Sequence, residues 1–227
     1  MREYTVEQSS LNFKWSLKRM IPSLPGPGTP AFATLCKGLQ PFGLIPSRVT
    51  VEAPTARLSD VALSIALLDN RVTLRITPAD FEMFVNQLVE GDENNLVEIA
   101  NLSFAALFEM DDDARQGKAE IRVSSHLKLA PLENFAILHE HLRLAESIAG
   151  FIPEAAVYQV EVSESPETKE LRVVVAKSIV FEDALFIDIT APYDGEIDIP
   201  KIARQVELYF ELVTEKLGLT EKAQEGV

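Results

Sequence analysis

The stretch Val61–Gly91, VALSIALLDNRVTLRITPADFEMFVNQLVEG, decides how this chain is read. Leu63, Ile65 and Leu67 alternate with Ser64 and Ala66, and Val72, Leu74 and Ile76 alternate with Thr73 and Arg75. A period of two puts one face of a strand in a core, and Asp69-Asn70 between the runs tolerates tight-turn geometry, so a β-hairpin is predicted. Thr77, Pro78 and Asp80 then have the form of a helix start: a capping hydroxyl, a proline at the first helical position and a negative charge in the first turn. Phe81, Phe84, Val85 and Leu88 stand at helical spacing and Gly91 is a stop. The stretch is therefore expected to be strand, turn, strand and helix.

Working outward from it, Leu11, Phe13, Trp15 and Leu17 alternate with polar residues and predict a half-buried strand over Ser10–Lys18. The run IPSLPGPGTP that follows is too rich in proline and glycine for a helix or a central strand and is read as a loop. A short helix ending near Gly38 and a short strand over Arg48–Glu52 lead into the central stretch. Beyond it, Asp92–Met110 fits a helix capped by Asp92, with a strand as the alternative. KAEIRVSSHLKL predicts a strand with Ile121, Val123, Ser125, Leu127 and Leu129 inward and Arg122, Ser124, His126 and Lys128 outward. Pro131 opens a predicted helix through Ala149. Strands are expected over Ala155–Val162, Glu170–Lys177 and Ala184–Thr190, the first two as a hairpin. A last helix from Pro200 buries Ile202, Val206, Tyr209, Phe210, Val213 and Leu217 and stops at Gly218, with a frayed tail after it.

The expected fold class is α+β, a mostly antiparallel sheet with helices packed on one face and two similar β-β-α halves as an option. Residues 1–47 would be an N-terminal strand and Pro/Gly-rich loop, 48–150 a first α+β unit and 151–227 a second, or all three one compact domain. With 47% hydrophobic residues among 227, the chain has apolar surface enough for a core without staples.

The net charge of −14 argues against nucleic acid as a partner, because binding to phosphate backbones draws on clustered Lys and Arg. No apolar run reaches the roughly 18–20 residues of a membrane span, so no membrane partner is expected. The N-terminal MREYTVEQSSLNFKW has no apolar run after a positive charge, so no secretory signal is expected, and the lone Cys36 cannot form an internal disulfide. A cytoplasmic setting follows as the expectation.

Local signatures of chemistry are missing. The sequence holds no GxSxG, GxGxxG or GxxxxGK[ST], so neither a nucleophile elbow nor the common nucleotide-binding loops are encoded. In His139-Glu140-His141 the two imidazoles stand two residues apart, about 200° around a helix, and cannot share one ion. No catalytic residue, metal site or cofactor is expected.

What remains is a basic tint on the polar faces of the predicted strands, at Arg71, Arg75, Arg122, His126 and Lys128, with Lys14, Lys18 and Arg48 beside them. Their stems can cover apolar surface while the heads pair with acids such as Glu82, Glu90 or Glu207, each exposed pair contributing about 0–1 kcal/mol. Alternatively the first five form a surface for an anionic ligand or acidic partner.

Leu127–Leu142, LKLAPLENFAILHEHL, resembles a short run near the C-terminus of SecB-type export chaperones, which are acidic and carry a similar L-x-L-A-P-x-N-F. The likeness covers sixteen residues and implies a chaperone-like option. The expected function is a non-enzymatic binding or assembly protein, an adaptor or chaperone-like factor, acting on another protein or on itself as a homo-oligomer. The alternative is an enzyme or small-anion binder whose site gathers distant basic residues and His126.

Overall fold

In the computed structural model the described residues are 2–21, 26–53, 60–110, 115–130, 137, 155–162 and 170–222. The fold is α+β with a mostly antiparallel sheet, as expected. By its contacts the chain divides into two compact units. One comprises Met1–Ser10, Arg122–Ala191 and Gln205–Val227, and the other Leu11–Ile121 and Pro192–Arg204.

The second of these contains the deciding stretch. Its helices are α1 (Pro30–Leu39) and α2 (Glu93–Met110), and its strands β2 (Thr50–Glu52), β3 (Ala62–Leu67), β4 (Val72–Ile76) and β5 (Asp80–Val85), followed in the sheet by the latter part of β1 (Arg2–Leu17). The β3–β4 hairpin forms as predicted. Leu63 pairs with Ile76 and Leu67 with Val72, and Leu68, Asp69 and Asn70 all take positive φ to turn the chain.

The predicted helix after Thr77 does not form: Asp80–Val85 is a strand, held between β4 and β1. Two ladders outweigh the helical spacing of Phe81, Phe84 and Val85. The period-two set Phe81, Met83 and Val85 is buried and Phe84 turns outward. Thr77 keeps its capping chemistry in another setting. Its hydroxyl oxygen accepts from the Ala79 and Asp80 amides, while its amide donates to the Asp80 carbonyl, which closes a tight turn. The central unit is thus β-β-β, not β-β-α.

The alternative at Asp92–Met110 resolves to helix. Phe104 of α2 sits on Phe81 with ring centroids 4.6 Å apart, and packs edge-on to Phe13 and Trp15 at 6.2 Å. Gly117 lies against that cluster, close beside the Ser16 carbonyl and the Trp15 ring.

The unit with the chain ends holds β7 (Ala155–Glu161), β8 (Glu170–Lys177) and β10 (Leu219–Glu221). With them lie the adjoining parts of β1, β6 (Gln116–Lys128) and β9 (Ala184–Glu196), and most of α3 (Ile199–Lys216). The predicted β7–β8 hairpin is present, from Ala155 opposite Ala176 to Glu161 opposite Glu170. Tyr209 and Val213 of α3 and Leu217 just after it pack with Leu127, Leu171, Val173, Val175 and Ile187 as one core. Gly218 stops the helix at φ 70°. The tail does not fray at once, because Leu219–Glu221 pairs parallel to Arg2–Tyr4. The helix predicted over Pro131–Ala149 lies outside the described residues except for Ile137, which is buried in this core.

Candidate functional site

The five basic residues singled out in the sequence fall into two groups. Arg71 and Arg75 belong to the unit of the deciding stretch, and Arg122, His126 and Lys128 to the unit with the chain ends. In the former, Arg71 precedes β4 and its guanidinium donates to the Asp92 carboxylate, a bond that raises the Arg71 pKa. Asp92 is therefore spent on Arg71, whatever its place before α2. Arg75 is exposed on β4 opposite Glu82 of β5.

In the latter group, Arg122, Ser124, His126 and Lys128 line one face of β6, as the alternation predicted. Arg122 Nε donates to the Asp188 carboxylate at 2.7 Å, Ser124 Oγ donates to the same oxygen at 2.6 Å, and Lys128 reaches Glu7 at 3.8 Å. Asp188 is buried on β9, so its charge rests on these two donors. The acids that engage Arg71, Arg122 and Lys128 are Asp92, Asp188 and Glu7, Lys14 reaches Asp80 at 3.6 Å, and Glu82, one of the acids expected, stands opposite Arg75 across the β4–β5 ladder. Strand pairing and loop closure decide that choice.

His126 has a different role. Its Nδ1 is 2.9 Å from Ser178 Oγ, in the turn between β8 and β9. That oxygen already accepts from the amides of Val180 at 3.1 Å and Phe181 at 2.9 Å. Two amides fill its lone pairs, so its own proton goes to Nδ1 and the imidazole is neutral, protonated on Nε2. Burial pushes the His126 pKa below its usual 6.5, which favours the same state. Phe181 and Phe186 flank the ring at 5.2 and 5.0 Å. A Ser–His contact invites a nucleophilic reading, but Ser178 is buried with its oxygen occupied, and Asp188 faces Arg122 instead of the imidazole. The pair acts as a latch on the turn.

What the latch holds was missed in the sequence. Ile179 is 99% exposed and Val180 64% exposed at the tip of a turn whose base is closed by the Ser178 amide donating to the Ala184 carbonyl. The register sets an apolar row beside it, Ala155–Ala176–Phe186 across β7, β8 and β9, with His126 against Phe186. The next row is Val157–Val174–Asp188, with Val157 59% exposed. The signal available in the sequence was Ile179-Val180-Phe181, three large apolar residues between two strands where turn residues are the rule.

None of the five basic residues lines either of two clefts in the structure. One, of about 520 Å³, is bordered by Phe104, Phe108 and Arg115, and the other, of about 320 Å³, by β7, β8 and α3. Burial raises the pKa of Cys36, the wrong direction for a nucleophile. Among the described residues no three His, Cys, Asp or Glu gather into a possible metal site, and no helix is long and apolar enough to cross a membrane. His139 and His141 lie outside the described residues.

The sequence matches no family model and no curated protein. Of the SecB-like run, the described apolar positions Leu127, Leu129 and Ile137 are core of their unit.

Proposed function

We propose that this chain is a non-enzymatic binding or assembly protein that works through a protein–protein contact centred on the β8–β9 turn, with a second copy of itself as the first partner to test. The observation that carries the reading is the pair Ile179 and Val180, the first fully and the second mostly exposed, presented on a turn pinned by Ser178 and His126. Single exposed aliphatics are ordinary. Two adjacent ones on a preorganised turn, next to an apolar row, are what an interface centre needs, because little ordering entropy is lost on binding. Arg71, Arg122 and Lys128 support the reading from the other side, since each already meets a carboxylate of its own chain. A cytoplasmic setting and the chaperone-like option belong to this proposal and rest on the sequence.

Sedimentation velocity of the parent and of Ile179→Asp and Val180→Asp, with affinity capture and mass spectrometry alongside, tests it. Both side chains are exposed, so the variants should fold. A concentration-dependent oligomer, or a stoichiometric protein partner, that both substitutions abolish is the expected result. A monomer at all concentrations with no stoichiometric protein partner, or an assembly indifferent to both substitutions, refutes it.

A further inference from the structure

The opposite face of the β7–β8 hairpin carries a separate feature. There Val160, Leu171 and Val173 form one wall of a cleft and Leu212 and Val213 of α3 the other, enclosing about 320 Å³. The floor is core: Leu171, Val173 and Val213 are buried with the α3 cluster. The rim stays wet, with Leu212 40% and Val160 37% exposed. Of the described residues that line it, Lys216 alone carries a charge, and it stands in the last turn of α3.

We propose that this cleft binds an aliphatic monocarboxylate of medium chain length, its tail between β8 and α3 and its carboxylate at Lys216. Volume favours a single hydrocarbon chain: the cleft is at the small end of the about 300–1,000 Å³ typical of ligand sites. Charge selects the head group. In a chain of net charge −14, the Lys216 ammonium beside an aliphatic trough attracts an anion, and among the described lining residues it is the one cation, with Tyr158 and Gln159 as uncharged polar neighbours. Lys216 also suits the C-terminal end of a helix dipole, which explains a lysine there but not the aliphatic walls beside it. The site is independent of the turn contact, because neighbouring residues of a strand point to opposite faces: Val157 faces one and Val160 the other.

The full-length chain titrated calorimetrically with hexanoate, octanoate and decanoate provides the test. Saturable one-to-one binding is expected, with affinity rising about fourfold per methylene and so about fifteenfold from octanoate to decanoate. Leu212→Glu, at an exposed position, should weaken decanoate at least tenfold. Lys216→Met should retain the chain-length dependence while removing the preference for decanoate over decanol. Absence of saturable binding, affinity that ignores chain length, or decanoate binding unchanged in both variants overturns the proposal. So does loss of a protein partner on Leu212→Glu in a chain that never binds decanoate, which would make the cleft a polypeptide site.

Discussion

Replacing Ser178 by alanine should unlatch the β8–β9 turn while leaving the sheet in place. The hydroxyl makes three hydrogen bonds: it accepts from the Val180 and Phe181 amides and donates to His126 Nδ1. The amides sit at an exposed tip, where water can replace the lost acceptor, so each contributes a few tenths of a kcal/mol net. His126 is partly buried between two phenyl rings, and stranding its acceptor nitrogen costs about 1–2 kcal/mol, so the total is about 2 kcal/mol. The loss is local. Amide hydrogen exchange should show protection at Val180 and Phe181 falling about thirtyfold, with the β8–β9 ladder from Arg172 to Lys177 exchanging as before. Ser178→Thr, which keeps the oxygen, should restore most of it. Unchanged exchange at both amides, together with an unfolding free energy within about 0.5 kcal/mol of the parent, would refute the latch and remove the rigidity on which the proposed contact depends.

His126 also gives a pH signature. Its pKa is lowered in the folded chain, so as pH falls the unfolded imidazole takes up a proton first; the contribution is whole above about 6.5 and is lost below it. Urea unfolding from pH 7.5 to 5 should therefore show stability decreasing with acid more steeply in the parent than in His126→Phe, and parallel curves would contradict the assignment. Gly117→Ala should cost about 3 kcal/mol, because a Cβ there meets the Ser16 carbonyl oxygen and, at 2.9 Å, the Trp15 ring; since the main-chain clash persists, adding Trp15→Phe should not rescue the midpoint in thermal unfolding. Arg122→Ala should cost about 2 kcal/mol by leaving the buried Asp188 carboxylate with only Ser124. In a double-mutant cycle with Asp188→Ala the two losses should fail to add by at least about 1 kcal/mol, and additive denaturation energies would show that the pair is not coupled.

Alternation was the legible part of the sequence. The β3–β4 hairpin and the β7–β8 pair follow from period-two patterns whose strands pair with near neighbours in the chain, and the outward face of β6 follows from its alternation alone, although its partners β1 and β9 are distant in sequence. The Thr77 turn was not legible, because a hydroxyl that accepts amides two and three residues ahead fits a helix start and a tight turn equally. Only the β1 ladder on the far side of β5 decides between them. The same limit hid the acids that engage Arg71 and Arg122: Asp92, in the loop before α2, and Asp188, on β9, are 21 and 66 residues away and are brought near only by the fold. Ile179 and Val180 could have been suspected from their position between strands, but their exposure depends on a histidine 52 residues before the serine it binds.

The parallel pairing of Arg2–Tyr4 with Leu219–Glu221 has a consequence for biosynthesis. Once synthesised, Arg2–Tyr4 waits for a partner made more than two hundred residues later. At about 5–20 residues per second that interval lasts ten seconds or longer. Throughout it one edge of β1 has its backbone donors and acceptors open to the corresponding strand of a neighbouring nascent chain, so crowding on a polysome should favour entangled copies.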